Sequence, residues 1–208
     1  SGVADALAKW YEASLSSSTS NDGLVLQAVQ MARVLRDQLL IDGYEAYKDS
    51  SSDSWTRVSE GCSITAGLIG GIGGARCRTA AAHALHNGLT QIKSPKNNLH
   101  GEIVGFGILV QLRLEEIISG NQLAKQARLQ LLPFFRNLNL PIDLDDLGLS
   151  HIHVSELREA CKFACNNELE IKYLPFEISP NDYLEAIIST GKGDQGIEPP
   201  EMIRQESL

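Results

Sequence analysis

Three ionisable residues sit where a helical sequence would otherwise place apolar ones. His83 lies in AAAHALHNGLT, among Ala80, Ala81, Ala82, Ala84 and Leu85. Such small neighbours let other helices approach its ring closely. His100 follows a polar loop and precedes Gly101, which permits close backbone approach. Asp5 stands in the opening turn of the first helical segment, between Ala4 and Ala6. Imidazole nitrogen and carboxylate oxygen suit a divalent cation, and a catalytic ion keeps one coordination position open. Two histidines and one aspartate from three helices would meet that description. Each residue also has a plainer role: a helix histidine satisfied in a core or at a surface, and a first-turn aspartate complementing the helix dipole. His83 and His100 lie 17 residues apart. That suits two neighbouring antiparallel helices but is not a diagnostic zinc spacing.

Other candidate groups carry less. Cys161 and Cys165 lie one helical turn apart, downstream of His151 and His153. A zinc site from those four fits no common zinc module, and buried helix cysteines are the expected reading. With no C-x-x-C pair, Cys62, Cys77, Cys161 and Cys165 are read as reduced and cytosolic. The string GLIGGIGGARC offers Gly71 and Gly73, but the third position of a G-x-G-x-x-G fingerprint is Arg76. Helix rather than strand precedes it, so a dinucleotide loop is excluded. Its glycines are expected to let helices cross closely.

The elements that must position these residues are all helical in pattern. Apolar residues at Val3, Leu7, Trp10, Tyr11 and Leu15 follow a 3.6-residue period, predicting a helix over Val3–Ser16. Asn21 or Asp22 can cap a second helix over Leu24–Tyr47. Further helices are predicted over Trp55–Ile69, ending at the glycine cluster, and over Arg76–Ile92. Glu102–Ile118 is apolar nearly all round and reads as the buried centre of a bundle. Helices follow over Asn121–Asn137, from Asp143 or Asp145 as a short turn of helix, and over Val154–Cys165. Residues 169–179 are the only candidate for extended chain. Ser179 caps a last helix ending near Gly191. The fold class is therefore an all-α multi-helix bundle, one helical domain over residues 1–192 with a polar tail over 193–208.

Composition sets outer limits. The 208 residues are 43% apolar and 21% charged, an ordinary globular balance. A net charge of -8 argues against nucleic-acid binding through a basic face. Apolar stretches are broken well short of the roughly 20 residues a membrane span needs, so no membrane partner is expected. The chain opens on Ser1 directly into a helical pattern, as a processed form or a fragment would.

The segments AAAHALHNGLT and HGEIVGFGILVQL resemble the paired metal-ligand motifs of the iron-containing (group III) alcohol dehydrogenase superfamily. The H-A-x-H-N-G form resembles its glycerol dehydrogenase branch. SGVADALAKWYEA is similar to the family segment that supplies an aspartate ligand, and LPIDLDDLGL to its late-bundle segment. The resemblance covers nearly the whole chain in the right order. It implies a dehydroquinate synthase-like C-terminal helical domain, with Asp5, His83 and His100 as metal ligands. His86 matches a pocket-lining histidine and is taken as the catalytic candidate. Many iron-dependent members carry a further histidine four residues after the aspartate, where this chain has Lys9. Three ligands fit Zn²⁺ with an open position better than four-ligand Fe²⁺.

The implied activity is NAD(P)-dependent oxidation of a small alcohol or polyol, with the metal acting as a Lewis acid on the substrate hydroxyl. NAD or NADP would be held by an N-terminal dinucleotide-binding domain that this sequence does not contain. The chain alone is thus expected to lack dehydrogenase activity. An apolar face meant for that domain would favour a homo-oligomer. A cytoplasmic location follows. Two alternatives stay open: a non-catalytic stand-alone metal-binding module, and a dehydroquinate synthase-like lyase relative. Asp rather than Glu at position 5 counts against the latter.

Overall fold

In the computed structural model, residues 1–93, 96–166 and 171–192 are described, and none of them forms a strand. The expected polar tail, residues 193–208, lies outside them. The order is α1 Gly2–Ser16, α2 Gly23–Lys48, α3 Asp53–Glu60, a π-helical turn Gly61–Thr65, and α4 Ala66–Gly73. Then come a 3₁₀ turn Gly74–Cys77, α5 Ala81–Leu89, α6 His100–Ser119, α7 Gln122–Asn137, α8 Val154–Cys165 and α9 Pro180–Lys192. The all-α bundle expected from the sequence is what forms.

Capping follows local chemistry. Asp22 accepts from the backbone N–H groups of Leu24 and Val25 to start α2. Asn121 does the same for α7. Ser179 and Asp182 exchange side-chain-to-backbone bonds to start α9. Gly120, at φ +64°, ends α6 in the left-handed conformation.

The core has two parts with α6 between them. Val104, Ile108, Leu109 and Leu112 of α6 join a cluster with α1, α2 and α7. Phe106, Val110 and Leu114 of the same helix join another with α5, α8 and α9. A helix clothed on every side needs apolar residues all round, as its sequence showed. Buried Gln111 stitches across the divide. Its Nε2 donates to the Tyr11 carbonyl of α1 at 2.8 Å, and its Oε1 accepts from Ala82 N–H of α5 at 3.2 Å.

Four expectations need correction. The glycine cluster does not end a helix at Ile69: the chain stays helical through Gly73 and breaks at Gly74, with φ +59°. Arg76–Ile92 is not one helix. The 3₁₀ turn ends at Cys77, and α5 starts at Ala81 after a non-helical Ala80 (φ -149°, ψ -137°). The short helix from Asp143 or Asp145 is a set of turns instead, in which Asp143 Oδ1 accepts from Asp146 N–H and Gly148 adopts φ +74°. Within 169–179, the described residues run from a helical Ile171 through turns and bends to irregular chain at 177–179, without a strand.

Candidate metal centre

α1 presents two carboxylates on one face, Asp5 in its first turn and Glu12 seven residues later. Two turns of helix bring positions i and i+7 nearly into line. The His83 ring lies along that face and spans them. Its Nδ1 is 2.6 Å from Glu12 Oε2, and its Nε2 is 3.4 Å from Asp5 Oδ1. His100, the first residue of α6, brings its Nε2 to 3.3 Å from the same Asp5 oxygen. One ligand atom from each of Asp5, His83 and His100 lies within 4.8 Å of the others, the one such group of His, Cys, Asp or Glu among the described residues.

Local structure explains the convergence. Gly101 lets the start of α6 touch the start of α1, since a Cβ there would run into the Ser1 carbonyl. This is the close approach its sequence position suggested. α5 is seated just as tightly. A Cβ on Gly107 of α6 would meet the Ala82 carbonyl oxygen at 2.5 Å, and one on Gly88 of α5 would strike the Ala160 carbonyl of α8. The alanines around His83 keep α5 thin enough to be enclosed.

The start of α5 has no capping side chain of its own. Its exposed-end donors are met from elsewhere in the bundle. Glu12 Oε1 accepts from Ala80 N–H at 2.7 Å and from His83 N–H at 2.9 Å. A carboxylate also complements the positive end of the helix dipole. Tyr183 of α9 donates to the Ala81 carbonyl at 3.0 Å. Glu12 was not singled out from the sequence. The signal that could have found it is an acidic residue seven positions after Asp5, on the buried face with Leu7, Ala8 and Tyr11.

The electrostatics suit a cation. The hydrogen bond from His83 holds the Asp5 carboxyl down at about 2, against the opposing pull of burial, with Lys9 adding its charge. Burial alone would depress the His83 imidazole. Glu12 and Asp5 outweigh that and raise it to about 10. His83 without a metal is therefore an imidazolium between two carboxylates, and a bound cation would take the place of the Nε2 proton. Exposure is graded: the side chain of His83 is 10% exposed, Asp5 37% and His100 53%. The site opens to solvent on the His100 side.

A tetrahedral ion with bonds of about 2.0–2.1 Å needs ligand atoms about 3.3 Å apart. The two contacts to Asp5 have that spacing, so the donor set fits a zinc-like cation. His86 sits outside the ligand set. Its Nε2 is 3.0 Å from His100 Nδ1, and its Nδ1 is 3.0 Å from Asn87 Oδ1. Burial pushes its pKa down, with Asn87 opposing. Lys9 does not join the donors: its amino group donates to the Arg78 carbonyl at 3.3 Å. The alternative set is not assembled. Cys161 is fully buried in α8, His151 and His153 are exposed, and all four cysteines are free.

A helical bundle with a two-histidine, one-aspartate centre defines a class that the comparisons specify further. No family model matches the chain. A Synechocystis sp. protein named uncharacterized oxidoreductase slr1167 is 51% identical over 195 residues, covering 94% of this chain and 51% of that protein. Hydroxycarboxylate dehydrogenase A of Escherichia coli K12 is 32% identical, over 86% of this chain and 49% of that protein. Glycerol dehydrogenase of Pseudomonas putida is 31% identical, over 90% and 51%. The crystal structure of glycerol dehydrogenase from Schizosaccharomyces pombe superposes with a TM-score of 0.77 at 25% identity, over 91% of this chain and 48% of that one. These relatives are glycerol dehydrogenase-like oxidoreductases, to part of which the chain is similar, in keeping with the iron-containing alcohol dehydrogenase superfamily. The chain spans about half the length of the curated relatives it matches.

Proposed function

We propose that the chain is the helical, metal-holding half of an NAD(P)-dependent alcohol or polyol dehydrogenase of the glycerol dehydrogenase-like kind. The observation that carries this reading is the convergence of Asp5 Oδ1, His83 Nε2 and His100 Nε2 on one small space at the solvent edge. Zn²⁺ is preferred over Fe²⁺ because the position four residues after Asp5 holds Lys9, whose amino group is turned to a backbone carbonyl. A cation held there would supply Lewis-acid polarisation of a substrate hydroxyl.

The chain's own residues do the rest. Asp5 brings the negative charge that a cation needs, held by His83 in its ionised form. The exposed flank at His100 leaves room for a small alcohol or polyol, and half-buried His86 lines that side as the catalytic candidate. NAD or NADP and its hydride-accepting ring belong to the other half of the enzyme, a dinucleotide-binding domain. The 208 residues alone are thus inactive in turnover while able to bind metal. Four free cysteines accord with a cytoplasmic setting, and no helix among the described residues is long and apolar enough to cross a membrane.

Elemental analysis of the purified chain beside His83→Ala and His100→Ala tests the reading. About one zinc or iron per chain is expected, lost in both variants at unchanged helical circular dichroism. A wild-type chain that takes up no metal after soaking with Zn²⁺ would overturn it, leaving a non-catalytic structural module.

A further inference from the structure

Glu12 is a buried carboxylate whose two oxygens do different jobs. Oε1 accepts from two backbone N–H groups, those of Ala80 and His83, at 2.7 and 2.9 Å. Oε2 faces His83 Nδ1 at 2.6 Å. An ionised carboxylate is acceptor-only, so the ring must donate to it from Nδ1. A neutral imidazole carries one N–H. When a cation displaces the Nε2 proton of the imidazolium, the proton held on Nδ1 by Glu12 stays, and Nε2 is the nitrogen turned to Asp5 and the space shared with His100. The same side chain that starts α5 therefore also chooses which nitrogen of His83 is free.

We infer that Glu12 is a positioning residue that locks His83 in the tautomer able to bind a metal, and that this role separates from its role as the N-terminal cap of α5. This rests on the metal-site reading above. The separation follows from donor counting. In Glu12→Gln the amide oxygen must stay on the two backbone N–H groups, because turning the amide over would set its NH₂ against two donors. The NH₂ then falls beside His83 Nδ1 and donates to it. His83 must answer with its lone pair at Nδ1, so its proton moves to Nε2 and blocks the ligand position. The cap is kept and the ligand is lost. Partners of this kind behind metal-bound histidines are worth on the order of 10–100-fold in metal affinity.

The experiment uses the 208-residue chain in wild-type, Glu12→Gln and His100→Ala forms, with Zn²⁺ as the probe. Three quantities are read: zinc affinity by competition with a chromogenic chelator, melting temperature of the metal-free protein, and His83 tautomer by long-range ¹H–¹⁵N correlation. The wild-type chain is expected to bind zinc with its His83 proton on Nδ1. Glu12→Gln is expected to melt within a few degrees of wild type while its zinc affinity falls on the order of 10–100-fold. Its His83 proton should stand on Nε2 at pH 8 without metal. Zinc binding by Glu12→Gln equal to wild type, with its His83 proton still on Nδ1, overturns the inference and leaves the metal site standing. No zinc binding by wild type, with His100→Ala indistinguishable from it, overturns the metal-site reading instead. Should Glu12→Gln not fold, the wild-type zinc complex decides alone: a His83 proton absent from Nδ1 sinks the inference, and one present there sustains it.

Discussion

Glu115 shows what a buried charge does when its partners are weak. It sits on α6 beside Gln111, with Asn121 Nδ2 donating to it at 3.2 Å and Gln111 Nε2 at a long 3.5 Å. Burial pushes its pKa up from 4.5 to about 7, more than those two bonds hold it down. The folded state thus keeps the proton over a range in which the unfolded chain releases it. The associated stability is full below about pH 4.5 and is lost as pH rises through about 7. At 1.36 kcal/mol per pKa unit the loss amounts to roughly 3 kcal/mol. Urea denaturation between pH 5 and 8 should show wild-type stability falling with pH and Glu115→Gln nearly level. Parallel profiles for the two proteins would refute the assignment. At this scale the sequence was only partly readable. Asp5, His83 and His100 stood out by type and by family resemblance, because their chemistry is carried in short local strings. Glu12 did not, because its partners lie 68 and 71 residues away and no local pattern records them.

Helices themselves were legible, because capping residues and the 3.6-residue period are local properties. Besides the turns that replace a helix after Asp143 and a strand within 171–179, what failed was the stretch from Ile69 to Ala81, where tertiary contacts decide. The π-helical turn and the run of glycines carry the helix to Gly73, and an acceptor from α1 then fixes where α5 begins. The spacing of α5 against its neighbours is set by glycines whose missing side chains let backbones meet. Gly107→Ala puts a methyl group against the Ala82 carbonyl, one residue before His83. We expect a destabilisation of about 1–3 kcal/mol, measured by thermal or chemical denaturation. Zinc affinity should fall as well, because α5 must shift away from α6 and from His100. Gly67→Ala, with open space around its Cβ, serves as the control and should leave zinc affinity unchanged. Equal behaviour of the two variants would show that the close approach at Gly107 does not set the site.

At the scale of the molecule, the three residues proposed as ligands come from three helices that meet only when the bundle is complete. Asp5 belongs to α1 on one side of α6, and His83 to α5 between the two parts of the core. His100 opens α6 itself. The all-α architecture was readable because a helix apolar on every face can only be central. Which neighbours surround it was not readable, since a single sequence records no pairing. That central position has a consequence for motion. Amide protons in the middle of α6, at Ile108, Leu109 and Val110, have neighbours from both parts of the core, so no partial opening exposes them. In deuterated water they should exchange last, at a rate set by unfolding of the whole chain, while α9 loses protection through smaller openings. Exchange at Leu109 as fast as in α9 would contradict this. The protons of one buried helix thus become a clock for the entire fold, readable without any assay of catalysis.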